Sequence, residues 1–303
     1  MVRFGVAGYP LAFGKTPYRR DRLKILDWLK GLGLDALELQ MTYGPRTSLD
    51  MCREYRKIAA DMGISLSVHA SYYIVFTSKD ANKLEKSGET LKRTYELCDA
   101  LDANVVVLHP GPLYGDDAGE VLARFTESLG NWIQDVGPTE TGLFVETAGK
   151  LGQLGSVDEI LQICIAIPGV FPCIDFGHVH ARTLGGLESW DAVNGLFQKL
   201  ERHRRQQSSK RLHFHYTPIH YGPKGEITHK TIHDKYPPRA QMLLPSMDED
   251  PLRSGDGFFH PRVEPIVRAL RKSAFDCTVI SETHNSQEEG AIALKRAFFA
   301  LQQ

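Results

Sequence analysis

GLFVETAG, residues 142–149, sets three apolar residues ahead of a glutamate and then turns small and polar. A run so short and so rich in strand-forming side chains reads as a buried strand rather than a helix. Glu146, a metal-ligand residue type, falls at its C-terminal end. The same arrangement recurs in SLSVHASY (65–72) with His69, NVVVLHPG (104–111) with His109 and FPCIDFGH (171–178) with Asp175 and His178. It returns in RLHFHYT (211–217) with His213 and His215, and in TVISETH (278–284) with Glu282.

Two further runs, RFGVAGYP (3–10) and ALELQMTY (36–43), complete a set of eight. Between the runs lie charged stretches of helical periodicity at 20–32, 48–62, 87–102, 120–136, 156–166, 187–203, 261–273 and 286–302. Alternating strand and helix implies parallel β/α units, and eight of them predict a single closed (β/α)8 TIM barrel over residues 1–303. In that fold the active site forms at the C-terminal ends of the strands, where the ligand-type residues stand. An open doubly wound sheet explains the alternation but gathers its ligands at one switch point, leaving this spread unexplained.

Barrels of this kind commonly run to about 250 residues as one domain, and no repeat or low-complexity tract divides the 303 residues. Five cysteines without CxxC spacing suggest neither a disulfide framework nor a cysteine zinc site, so a reducing cytoplasm is the expected location. No apolar run of membrane-spanning length occurs, and nothing points to an obligate protein partner. The formal charge of −1 gives no electrostatic sign of a nucleic-acid binder and does not exclude a phosphodiester substrate. The densest basic run, KLERHRRQQSSKR (199–211), leads into a strand and is expected at the barrel's N-terminal face as a solvated helix end.

Imidazole nitrogen and carboxylate oxygen suit zinc or manganese better than magnesium, and groups converging from several strands can hold more than one ion. Burying so many of them without a cation is costly. Asp175 and His178 are close enough in sequence to share a site or serve neighbouring ions. His213 and His215 alternate along one strand and point to the same face, so either can be the ligand, the other standing behind it or contacting phosphate. Glu226 and His229, in the turn-rich YGPKGEITHKTIHD (221–234), would complete a third metal site. A long loop at about 218–258, most of it the proline-rich KYPPRAQMLLPSMDEDPLRSGDG (235–257), is expected to lie over the C-terminal face as a lid or substrate-binding loop. Its Gly255-Asp256-Gly257 reads as a ligand-approaching backbone or a plain turn.

With these residues in place, the chain resembles the endonuclease IV family, zinc-dependent apurinic/apyrimidinic endonucleases of DNA base excision repair on a xylose isomerase-like barrel. The resemblance runs from about residue 3 to 300. Its carriers are VHASYY (68–73), VVLHPG (106–111), VETAGKLGQLG (145–155), CIDFGH (173–178), the HFHY and GPKGEITH segments (213–229) and ISETH (280–284). It implies two or three zinc ions, with manganese as the alternative, held by His69, His109, Glu146, Asp175, His178 and Glu282, with Glu146 bridging two. It also implies duplex DNA with abasic sites as the partner, contacted by Tyr72 and Arg46. Where well-known bacterial members carry Asp-x-His, this chain has Glu226-Ile-Thr-His229, which bears on the third ion. Glu146 and Glu282 are the candidate catalytic residues. The rival is a sugar isomerase or epimerase on the same barrel, with Glu146, Asp175, a histidine from the seventh strand (His213 or His215) and Glu282 holding one ion while the glutamates move protons. A non-enzymatic metal-dependent binding protein is a third reading.

Overall fold

A computed structural model describes residues 1–137, 139–206, 211–237 and 256–300. Eight parallel strands form its centre: β1 (Val2–Ala7), β2 (Ala36–Gln40), β3 (Ser65–His69), β4 (Val105–Leu108), β5 (Gly142–Glu146), β6 (Val170–Asp175), β7 (Leu212–Tyr216) and β8 (Cys277–Ser281). They close in sequence order, β1 pairing β2 on one side and β8 on the other. The fold is therefore the closed α/β barrel that the alternation implied.

Strand alternation sorts the side chains into two layers. Leu66, Val68, Val106, Leu108, Leu143, Val145, Ile174, Phe214 and Val279 join the large apolar cluster shared with the helices. The residues between them face the barrel interior. Toward the N-terminal end, Val107, Phe144 and Cys173 form a separate small cluster with Val105 and Phe171. Toward the C-terminal end the same rows finish in His69, Glu146, Asp175 and His215. The apolar plug supplies the floor, and the polar ends of the rows supply the site.

Several helices begin where a side chain caps them. Ser48 accepts from Met51 N, and Ser156 with Glu159 makes a capping box, relieving the amide groups that a helix start leaves unpaired. The helix expected to begin at residue 87 begins at Ala81, because Asp80 accepts from Asn82 N and Lys83 N. A further short helix, Phe176–Arg182, follows β6 directly and carries His178.

The loop expected across 218–258 needs correction. Ile219–Gly222 and Gly225–His229 form an antiparallel hairpin, so Glu226 and His229 lie on a strand. The hairpin forms because Gly225, at φ +88°, lets the chain turn tightly against the loop after β5; a Cβ there would meet Gly149 O at 2.2 Å. Residues 238–255, most of the expected lid, lie outside the described residues. The segments flanking them are joined: Lys235 bridges Phe258, and Tyr236 N donates to Gly257 O at 3.0 Å. Asp256 accepts from Phe258 N at 3.0 Å, which closes a local turn. In the basic run, Lys199 pairs with Asp158, and Arg204 with Glu201. Arg211 lies over the Phe144 and Phe171 rings at the base of the barrel.

Candidate metal centre

Glu146, at the end of β5 and fully buried, is the hub. Its Oε2 lies 3.1 Å from His69 Nε2 and 3.2 Å from His109 Nε2. Its Oε1 lies 3.0 Å from His215 Nδ1 and 3.3 Å from His178 Nδ1. One carboxylate therefore faces imidazoles from β3, β7, the loop after β4 and the short helix after β6. Burial alone would raise its pKa, but His109, His215 and His178 outweigh that and hold the carboxyl well below the ordinary range. Burial drives the His109 imidazole down to about 3 even though Glu146 opposes it. Both groups are thus kept in the state that ligates a cation.

Around the hub the donors fall into adjoining groups. His69 and His109 share Glu146; Asp175, His215 and Glu282 share it from the other side; His178, Glu226 and His229 form a third group. His178 Nε2 lies 3.6 Å from Glu226 Oε2, and His229 Nε2 lies 3.5 Å from Glu226 Oε1. Burial raises the Glu226 carboxyl, yet the hydrogen bond from His229 and the charge of His178 bring it down to about 2. Glu282 goes the other way: burial pushes its carboxyl up, His215 opposing and Glu146 reinforcing.

The rings are oriented from behind. A carbonyl can only accept, so His69 Nδ1 donates to Ala70 O at 2.8 Å, His178 Nδ1 to Thr147 O at 2.9 Å and His229 Nδ1 to Glu282 O at 3.1 Å. Each such bond leaves the lone pair on Nε2, which faces Glu146 in His69 and Glu226 in His178 and His229. That is the support metal-ligating histidines usually receive. The hairpin reaches His178 because Glu226 N donates to Gly149 O at 3.0 Å and Leu151 N to Lys224 O at 3.1 Å.

His213, expected as an alternative to His215, points inward one layer deeper and bonds Glu38 at 2.9 Å. Tyr72 is 54% exposed but lays its ring over His109, centroids 5.2 Å apart and planes at 19°. It borders a mouth of about 440 Å³ together with Gln40, Glu226, His229 and Glu282. Arg46 is exposed and lines an adjoining cavity of about 490 Å³ with Tyr9, Gln40 and Tyr43. Gln40 borders both cavities, so Arg46 flanks the mouth and stands outside the donor groups.

A family profile described as xylose isomerase-like TIM barrel matches residues 26–300. The chain belongs to that family. Among sequence relatives, this xylose isomerase-like barrel is 27% identical over 236 residues to an uncharacterized protein of Methanocaldococcus jannaschii, spanning 77% of this chain and 83% of the other. It is 30% identical over 129 residues to a probable endonuclease 4 of Nitratidesulfovibrio vulgaris, spanning 41% of this chain and 46% of that one. Endonuclease IV from Thermus thermophilus superposes with a TM-score of 0.65 at 16% identity over 99% of both chains. D-psicose 3-epimerase from Clostridium cellulolyticum does so at 0.57 and 15% identity over 99% of this chain and 97% of its own. At those identities the superpositions establish the shared fold alone.

Sequence reasoning missed three groups of this xylose isomerase-like barrel: Glu38, Ser67 and Cys173. Glu38 and Cys173 adjoin His215 in further candidate donor groups, and Ser67 Oγ donates to Glu38 Oε2 at 2.9 Å. The signal for Glu38 was present in ALELQ, where a carboxylate interrupts an apolar strand at an inward position. No described helix is long and apolar enough to cross a membrane, and all five cysteines are free and buried.

Proposed function

We propose that the chain is a metal-dependent phosphodiester hydrolase that cuts DNA at abasic sites. The observation that carries this reading is the excess of donors around Glu146: a one-ion sugar site needs the Asp175, His215 and Glu282 group and leaves the other two without a purpose. The residues suit cations. Asp175 Oδ2 is buried with no hydrogen-bond partner, a costly state for a carboxylate oxygen unless a cation takes it up. His69, His109 and Glu146 would hold one ion, Glu146, Asp175, His215 and Glu282 a second, and His178, Glu226 and His229 a third. Mixed nitrogen and oxygen donors favour zinc, then manganese.

Bound there, the ions supply Lewis acidity and a positive field for the attacking and leaving oxygens of a phosphodiester. The chain's own residues do the rest. Glu146 and Glu282 act as donors, Glu146 serving two groups. Tyr72, a phenol and so neutral at about pH 7, presents a flat ring at the mouth. A nucleotide enters such a mouth only if it leaves the helix stack, which costs least where the base is already lost. Arg46 stands to the side, where a neighbouring phosphate would pass.

The second reading, a sugar epimerase, is favoured by the Asp175, His215, Glu282 and Glu146 group taken alone. Elemental analysis with two activity assays separates them. Two or three zinc or manganese ions per chain, with nicking of a duplex containing an abasic analogue, is the expected result. One ion per chain with interconversion of ketohexoses and no nicking would overturn it.

A further inference from the structure

One layer below the donors just described, β2 places Glu38 in the barrel interior, fully buried with His213 and His215. The proposed hydrolysis makes no use of it. Its Oε2 accepts from His213 Nε2 at 2.9 Å and from Ser67 Oγ at 2.9 Å. Its Oε1 accepts from Gln40 Nε2 at 3.3 Å and lies 3.0 Å from His215 Nε2, off the line of a hydrogen bond. The opposite nitrogen of that ring, His215 Nδ1, is 3.0 Å from Glu146 Oε1 and 3.6 Å from Glu282 Oε1. Gln40 Nε2 also reaches Glu282 Oε1 at 3.4 Å, so β2 touches both His215 and Glu282 from below.

Glu38, His213 and His215 are themselves a candidate donor group. Both oxygens of the Glu38 carboxylate already accept protein hydrogen bonds, however, Oε2 from His213 and Ser67 and Oε1 from Gln40. The group therefore reads as a support for His215 rather than as another ion site. Glu38 also sits on the far side of the His215 ring from Glu146. With an ion on Nδ1 in place of the present contact with Glu146, the ring proton belongs on Nε2, and Glu38 Oε1 at 3.0 Å is the carboxylate oxygen facing it.

We infer that Glu38, held by His213, is a positioning residue that fixes the ring of His215 for the middle ion, an inference that rests on the metal-centre reading. The pair sets the ring's orientation and tautomer and places a negative charge behind it, which strengthens the imidazole as a donor. The His69 and His109 group and the hairpin group contain neither residue, so only one of the three ions is affected.

The test compares wild type with Glu38→Gln, Glu38→Asp and His213→Gln. Zinc content is measured against a graded chelator, together with the visible spectrum of the cobalt(II)-loaded protein. Glu38→Gln is expected to weaken one ion of the set by roughly 10–100-fold, the usual effect of losing a partner behind a metal-bound histidine. The other ions should keep wild-type affinity, the cobalt spectrum should change, and Glu38→Asp should recover part of the loss. Wild-type affinity for every ion in Glu38→Gln overturns the inference. Should that variant fail to fold, His213→Gln is read in its place, and full retention of the ions at wild-type affinity there overturns it too. A wild-type protein that binds no group of ions defeats the metal-centre reading itself, before any variant is compared.

Discussion

The donors borne by the barrel and those borne by the hairpin face one another across the same mouth, yet they are held differently. Glu146, Asp175 and His215 are fully buried at the ends of paired strands, and the contacts of Glu146 with its imidazoles run from 3.0 to 3.3 Å. Glu226 and His229 have side chains 18% and 24% exposed, are 3.5 Å apart, and rest on a two-stranded hairpin tied to the loop after β5 through a few backbone bonds. A closed barrel cannot shift one strand without its neighbours, whereas a hairpin can move as a unit. The barrel groups are therefore preorganised, and the hairpin group is the adjustable one.

The largest expected effect comes from breaking the hub. Glu146→Gln keeps the shape and removes the charge shared by two groups. Nicking should fall by more than the 10²–10³ or so typical of losing one stabilising donor, with the circular dichroism unchanged. Activity equal to wild type would remove Glu146 from the mechanism. Next come His69→Ala and His109→Ala, each taking one imidazole from a group built on the barrel. Both should abolish nicking and lower bound metal by about one ion. Full metal content in both variants would leave the sugar-epimerase reading the better one.

That contrast also explains what was legible in the sequence. Barrel strands are short apolar runs with a period of two, so a polar ligand type at the end of each run stood out: His69, Glu146 and Asp175 were visible in their own windows. The hairpin carries no such pattern. Its Glu226 and His229 looked like loop residues because Gly222, Pro223 and Gly225 dominate the window, and their approach to His178 depends on a contact between Gly149 and Gly225 distant in sequence. Arbitration between His213 and His215 was closed to pattern reading for another reason. Both are inward, and depth along the barrel axis depends on which partner, Glu38 or Glu146, lies level with each. Glu38 itself escaped notice because one polar residue within an apolar strand has no period of its own.

Gly149→Ala sharpens the comparison from the hairpin side. A Cβ on Gly149 would stand 2.7 Å from Glu226 Oε2, 2.8 Å from Glu226 Cβ and 3.2 Å from the His178 ring. The added methyl should push Glu226 away and leave Glu146 and its strand-borne partners in place. The expected result is loss of one ion with the others retained. Nicking should drop by roughly 10–100-fold, the range for disturbing a metal site through its surroundings. In the wild type a graded chelator should remove that same ion first. Simultaneous release of all ions would show that the hairpin group is no looser than the barrel groups, and the comparison would fail.

The smallest effect belongs to the rim, where Tyr72 is exposed and yet stacked over His109. If its ring wedges into a duplex, Tyr72→Ala should slow nicking of an abasic duplex by about tenfold, near the low end of what one aromatic contact with a base contributes. A single strand needs no extrusion and should lose less. Because the ring covers His109, metal content must be measured in the same sample, and it should stay at the wild-type level. The salt series gives a second reading. Tyr72 is uncharged, so its loss should shift the affinity without changing the slope of log affinity against log salt, whereas Arg46→Ala should reduce that slope by about one if it contacts a phosphate. Equal loss on duplex and single strand, with metal intact, would make Tyr72 a packing residue over His109 and nothing more. A fall in bound metal would place its effect on the barrel side of the comparison, through the imidazole beneath it.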